Sequence, residues 1–190
     1  MLDQNIFRGD LVRLAAEDPE TAGKALSSWG RDTEYIRLVD QGPVRLWSVK
    51  KIQSWRENGL ERGDQGVYFF GVRTLQEDRL IGFVYFIGTS WPHGDTWMGI
   101  GLGEREYWGK GYGTDAVRVI LRYAFTELNL RRVTLYVFAY NERAIRSYEK
   151  AGFKVEGRLR QYIARDGQRY DMIFMGILRE EWLQGIGTAV

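Results

Sequence analysis

The chain has 190 residues, 44% of them hydrophobic and 27% charged, with 27 basic against 25 acidic residues for a formal charge of +2. That length and composition suit one domain, residues 1–190, with a real core, and exclude an intrinsically disordered chain. A charge this close to balance excludes a partner recruited by the net field of the molecule.

Taken in chain order, Ile6–Leu14 alternates loosely and predicts an opening strand. Asp18-Pro19 starts a helix, with a capping carboxylate and a proline at the first helical position, and Gly30 ends it. A second short helix covers Thr33–Asp40, before Gln41-Gly-Pro43. Ser48 can cap a third helix through Arg56, where Val49, Ile52 and Trp55 recur at helical spacing. The period then changes to two. Val67–Thr74 and Arg79–Thr89 read as strands joined by Gln76-Glu-Asp78, and Leu80–Ile87 is apolar enough on both faces to be central. Trp91-Pro-His-Gly-Asp95 is a turn leading into a third strand, Thr96–Gly103. A helix follows from Thr114, its natural cap, to about Leu128, with Val117, Leu121, Ala124 and Leu128 on one stripe. Next come a strand at Arg132–Tyr140, a short helix at Glu142–Ala151 closed by Gly152, and strands at Lys154–Ala164 and Gln168–Leu178. The last two meet at the hairpin signal Asp166-Gly167. This order predicts a mixed α/β domain.

Several chemistries are absent. There are no cysteines, which removes disulfides, thiolate catalysis and cysteine-ligated zinc. The one histidine, His93, lies in a turn where no metal cluster can be built around it, so no metal is expected. Met1–Asp10 lacks the basic and apolar regions of a signal peptide, and no apolar run approaches the ~18 residues a membrane span needs. A cytoplasmic protein without membrane contact is the expectation. Charge is unevenly spread. Residues 17–40 hold six acids against three bases, and residues 131–169 hold ten bases against four acids. The first would suit a cationic substrate and the second an anionic cofactor, although solvated helix faces explain both.

The densest signal is the loop Trp108-Gly109-Lys110-Gly111-Tyr112-Gly113-Thr114 between a strand and a helix. Glycines there let successive N–H groups face a phosphate, and the helix N-terminus adds partial positive charge. A Walker loop does not fit, because Gly111 stands where its hydroxyl belongs. A dinucleotide fingerprint does not fit either, for want of the spacing and of an acid after Arg132–Tyr140.

Gly111-Tyr112-Gly113 matches the glycines of the Gln/Arg-x-x-Gly-x-Gly/Ala pattern, with Trp108 in the Gln/Arg place. Asn141, Tyr148 and Ala151-Gly152-Phe153 match a second motif in full. With the opening Gly9-Asp-Leu-Val-Arg-Leu14 and the closing Arg169-Tyr-Asp-Met172, the chain resembles the GNAT N-acetyltransferase superfamily. Within it, these segments resemble the branch holding ribosomal-protein alanine and spermidine acetyltransferases. The resemblance implies a central, mostly antiparallel twisted sheet of 6–7 strands, splayed between two parallel strands and flanked by helices, with the cofactor core at about residues 66–153. It further implies acetyl-CoA as cosubstrate, held by Leu102, Gly103, Glu104, Trp108, Gly109, Lys110, Gly111, Tyr112, Gly113, Thr114, Asn141 and Tyr148. Backbone groups of Leu102, Gly103 and Glu104 would meet the pantetheine arm and the thioester carbonyl. Residues Gly109–Thr114 would cradle the pyrophosphate, and Asn141 would bond the arm.

Tyr148 would be the general acid for the departing thiolate, since a phenol with pKa near ~10 stays protonated at neutral pH. The places where some relatives keep a general-base Glu hold Trp97 and Tyr136. Glu104, Asp171 or a water chain are therefore the candidates. The acceptor implied is a primary amine, whether a peptide N-terminus, a polyamine or another small amine, and relatives commonly form homodimers. Trp29, Trp47 and Trp55 could wall the acceptor side, though such residues are more often core. A CoA-binding sensor that has lost catalysis is the alternative. A nucleic-acid binder, suggested by the basic second half, lacks a binding motif.

Overall fold

The computed structural model describes residues 5–59 and 66–187; residues 1–4, on which part of the reading of Met1–Asp10 rests, lie outside them. Seven strands form one sheet: β1 (Val12–Ala15), β2 (Tyr68–Thr74), β3 (Leu80–Ser90), β4 (Asp95–Leu102), β5 (Arg132–Phe138), β6 (Lys154–Arg165) and β7 (Gln168–Leu178). Their spatial order is β1-β2-β3-β4-β5-β7-β6. Every neighbouring pair is antiparallel except β4–β5, which is parallel. The six α-helices are α1 (Pro19–Trp29), α2 (Thr33–Val39), α3 (Val49–Gly59), α4 (Tyr112–Thr126), α5 (Glu142–Lys150) and α6 (Arg179–Gly187).

Alternation along the strands sorts side chains onto two faces. One carries Val84, Phe86, Met98, Val133, Leu135, Met175 and Ile177, all buried under Val117, Ile120, Leu121 and Ala124 of α4. The opposite face carries Phe83 beneath Trp29 of α1 and Tyr35 of α2. Both early helices start as the sequence dictates. The Asp18 carboxylate accepts from Glu20 N and Thr21 N, and the Asp32 carboxylate from Glu34 N and Tyr35 N. Asp166 and Gly167 take φ of +49° and +75°, the left-handed pair that a tight β6–β7 hairpin requires.

The structure corrects two sequence-based expectations and adds two elements. Helix α4 starts at Tyr112 instead of Thr114, because Gly111 at φ +92° serves as its cap; Thr114 lies inside the helix and its hydroxyl meets Ser147 Oγ at 2.8 Å. The opening strand is short, Val12–Ala15, because Gly9 and its neighbours turn onto α4. There the buried Asp115 carboxylate accepts from the N–H groups of Asp10 (3.2 Å), Leu11 (2.7 Å) and Val12 (3.0 Å). A short 3-10 turn at Arg105–Tyr107 fills the β4–α4 loop. Helix α6 was not anticipated; Trp182 anchors it with its ring 5.3 Å from that of Phe125.

Candidate active site

The site begins where two parallel strands part. The β4–β5 ladder consists of Asp95↔Arg132, Thr96↔Val133 and Trp97↔Thr134, and stops there. Gly103, just past β4, bonds toward β3, with its N–H donating to Ile81 O at 2.9 Å. By the alternation of an antiparallel ladder, Ile100 and Leu102 then turn their N–H groups to the other side, into the opening. Just past β5, Ala139 N–H donates to Asp171 O, so Tyr136 and Phe138 turn their backbone groups toward β4, the Phe138 carbonyl accepting from Asn141 N in the turn beyond. Both edges of the gap therefore present main-chain polar groups that no strand pairs. Of the three residues expected to offer backbone groups, Leu102 faces the opening, whereas Gly103 and Glu104 both give their N–H to Ile81 O. Ile100 was missed, although the same alternation, read one turn of the pleat earlier, identifies it.

The glycine loop lies at the end of this gap. Gly109 and Gly111 have φ of +72° and +92°, and no side chain caps the first turn of α4. The N–H groups at the start of α4 have no intrahelical acceptor by geometry, and the helix dipole reinforces them as an anion cradle. Lys110 is exposed beside it. Trp108 has taken over a structural task in the Gln/Arg place. Its Nε1 donates to Leu102 O at 2.7 Å, and its ring lies 3.9 Å from the Arg143 guanidinium and 5.3 Å from that of Arg105.

From the helical side, Asn141 caps α5 through Ala144 N at 3.2 Å and reaches Leu38 O at 3.4 Å. Tyr148, on α5, is 8% exposed, and its hydroxyl makes no hydrogen bond among the described residues. Burial, followed by the neighbouring Tyr85, pushes its phenol well above the ordinary value. Tyr85 belongs to the opposite sheet face, paired across the ladder with Gly99. Two tyrosines from opposite faces of the sheet are thus within electrostatic reach of each other.

The two carboxylates considered as bases are engaged elsewhere. Glu104 accepts from Trp29 Nε1 at 2.7 Å through one oxygen and pairs with Arg79 through the other. Asp171 accepts from Gln161 N at 2.8 Å and Arg158 Nη1 at 2.9 Å, which hold it below the usual carboxylate range. It fixes the irregular stretch of β6, where Gln161 stands at φ +55°. Trp29 is core, 5% exposed and packed on Tyr35 and Phe83, whereas Trp47 and Trp55 pair with each other.

Comparison with known proteins matches residues 10–154 to the acetyltransferase (GNAT) domain family. The chain is 30% identical over 151 residues (80% of this chain, 82% of the relative) to the SPbeta prophage-derived uncharacterized N-acetyltransferase YokL of Bacillus subtilis (strain 168). It is 42% identical over 78 residues to the spermidine N(1)-acetyltransferase of Escherichia coli (strain K12), covering 41% of this chain and 42% of that one. In fold it resembles the spermidine N-acetyltransferase of Vibrio cholerae, solved with CoA and spermine, at a TM-score of 0.80 and 24% identity over 90% of this chain and 98% of that one. The matched span takes in the parted strands, the glycine loop and the Tyr148 helix, and on it this chain belongs to the GNAT family of N-acetyltransferases.

Proposed function

We propose that this enzyme moves an acetyl group from acetyl-CoA directly to a primary amine, within a complex that holds both. The observation that carries the reading is the opening between β4 and β5, edged by backbone groups that no neighbouring strand pairs, with the buried Tyr148 of α5 in electrostatic reach of Tyr85 on β3. Acetyl-CoA supplies the thioester carbonyl as electrophile and a thiolate as leaving group. Its pantetheine amides suit a gap between strands whose edges still want partners. Its pyrophosphate suits the N–H groups of Gly111–Thr114, with Lys110 adjacent. The N–H groups of Ile100 and Leu102 lie about 6.6 Å apart along the strand, so one of them would stabilise the oxygen of the reacting carbonyl as charge develops there while the other meets a pantetheine amide.

The amine nitrogen forms a bond to the carbonyl carbon, the C–S bond breaks, and the Tyr148 hydroxyl protonates the departing sulfur. A proton from the ammonium leaves through water and restores the phenol. We assign deprotonation to water because Glu104 and Asp171 have both oxygens engaged. Those two carboxylates act as anchors, one for the end of β4 and one for the irregular stretch of β6.

The test is thiol release from acetyl-CoA against a panel of amines, amino-acid amides and short peptides. Release with one class, lost in Tyr148→Phe while acetyl-CoA still binds, supports the transferase. Tight acetyl-CoA binding with no release across the panel points instead to a CoA-binding sensor.

A further inference from the structure

The opening between β4 and β5 has one sealed face and one open face. Ile100 and Leu102 turn their side chains into the core under α4, where Leu135, Val137 and Tyr148 are buried, and that core closes the opening on its side. The other side carries Gly99 and Gly101, and at its rim Trp97 and Tyr136 are each 41% exposed. That is the side open to an acceptor. The order of residues along β4 sets where the acceptor must arrive. With its pyrophosphate at Gly111–Thr114, beyond the end of β4, acetyl-CoA passes Leu102 before Ile100, and its thioester comes last. Ile100 N–H is then the donor to the reacting carbonyl, and Gly99 and Gly101 flank that point on the open face.

Two phenols lie over these glycines. Tyr85, across the ladder from Gly99, sends its ring over β4: a Cβ on Gly99 would run into its Cζ and Oη, with Cε1 next at 2.8 Å. The ring thus lies across the glycine, and its hydroxyl is at the end away from β3, on the edge of the opening. Phe69, stacked on the ring at 5.7 Å and 12°, holds it there. Tyr35 arrives from α2 hydroxyl first: a Cβ on Gly101 would lie 2.6 Å from its Oη and 3.3 Å from its nearest ring carbons. That hydroxyl stops over the strand.

Tyr85 Oη has no hydrogen-bond partner among the described residues. It is not sealed in either. Of their buried side-chain nitrogen and oxygen atoms only Arg165 Nε lacks a partner, so the Tyr85 oxygen keeps surface of its own. Burial of the ring raises the phenol above its ordinary value and keeps it neutral. Glu104 is committed to Trp29 and Arg79, and Asp171 to Gln161 and Arg158. Tyr136, level with Gly99 if the Trp97↔Thr134 rung is extended, is exposed enough for water to serve its hydroxyl.

An amine nitrogen nearing the carbonyl has N–H groups to place and a lone pair to aim. A neutral hydroxyl at the edge of the opening takes one of those N–H groups and leaves the lone pair free. We propose that Tyr85 contacts the acceptor during transfer: its Oη accepts a hydrogen bond from the attacking nitrogen and turns the lone pair toward the carbonyl held by Ile100. This rests on the transferase reading above and adds an acceptor-side residue to it. Tyr85 keeps its own proton, and the proton that the nitrogen sheds still leaves through water.

The test compares Tyr85→Phe and Tyr35→Phe with the wild type. Thiol release is measured with alaninamide, butylamine and spermidine, acetyl-CoA binding by calorimetry, and stability by urea unfolding. For the amine that the wild type turns over fastest, Tyr85→Phe should lower kcat about tenfold at saturating amine, with the acetyl-CoA Kd unchanged. Its urea midpoint should hold or rise, because the lost oxygen bonds nothing in the protein and the ring still packs on Phe69. Tyr35→Phe should keep kcat within about threefold of the wild type. An unchanged kcat in Tyr85→Phe, a parallel loss of acetyl-CoA affinity, or a lower urea midpoint overturns the assignment to Tyr85. A tenfold loss in Tyr35→Phe alone overturns it in favour of the hydroxyl over Gly101. No release with any of the three amines, in wild-type protein shown to bind acetyl-CoA, overturns the transferase reading and this assignment with it.

Discussion

In the proposed mechanism Tyr148 is where a single hydroxyl carries the most chemistry. Its Phe variant keeps the packing against Phe153, at 6.0 Å between ring centres, and loses only the proton. The expected result is a fall in kcat of about 10²-fold or more with an unchanged acetyl-CoA KM, read by steady-state thiol release. The pH dependence follows from the direction of its shift. A phenol held above its ordinary value stays protonated, so kcat should not decline between pH 8 and 9.5 as it would if an ordinary tyrosine were ionising. Stability has the opposite sensitivity. Tyr35, Tyr85 and Tyr148 are all raised by burial, so above about pH 10 the unfolded chain ionises and the folded one does not. The urea midpoint is therefore expected to drop from pH 9 to pH 10.5; a flat profile would show that these phenols titrate normally. The role of Trp108 was not legible in the sequence, because a residue in the place of Gln or Arg does not announce that it will bond the Leu102 carbonyl and stack beneath Arg143.

Among the elements, α4 and its contact with β1 hold the glycine loop in position. The Gly9-Asp-Leu-Val segment of the sequence makes sense only beside Asp115, whose carboxylate takes three successive N–H groups where a methyl on Gly9 would collide with it. Asp115→Ala leaves those donors buried without acceptors, and about 3 kcal/mol of stability should be lost, measurable by urea unfolding. Gly111→Ala should cost about 1 kcal/mol for its positive φ and should also weaken acetyl-CoA binding, as calorimetry would detect. Helix periodicity located α4 and α5 well, since their apolar stripes are strong. The cap at Asp18 was legible because a carboxylate stands before Pro19, while Asp32, which caps α2 in the same way, went unread. Thr114 misled because a hydroxyl near a helix start resembles a cap, whereas the backbone there used a glycine in the left-handed region instead. Helix α6 escaped because its stripe is weak and a single tryptophan anchors it.

Over the whole molecule, the sheet was legible because period-two runs and the Asp166-Gly167 turn leave little choice of register, and the two glycine-and-tyrosine motifs placed the opening between β4 and β5. What the sequence concealed was pairing over long separations. The acidic segment 17–40 reads as a landing site for a polycation until Arg73 and Arg105, more than fifty residues away, are found against it. Internal neutralisation also limits the reach of the field around the site. The acceptor KM is expected to change less than about threefold between 50 and 300 mM salt, as parallel kinetic titrations would show.

The glycines at 99, 101 and 103 have a historical consequence. Each is matched to a ring, so neither partner can change freely: a methyl at Gly101 strikes the Tyr35 phenol, and only a smaller residue at 35 would admit it. Evolution could therefore remodel this face of the sheet in one order only, with rings shrinking before the strand gains bulk. A laboratory lineage that fills β4 with larger residues should begin with losses at 35 and 85 and acquire side chains on β4 afterwards.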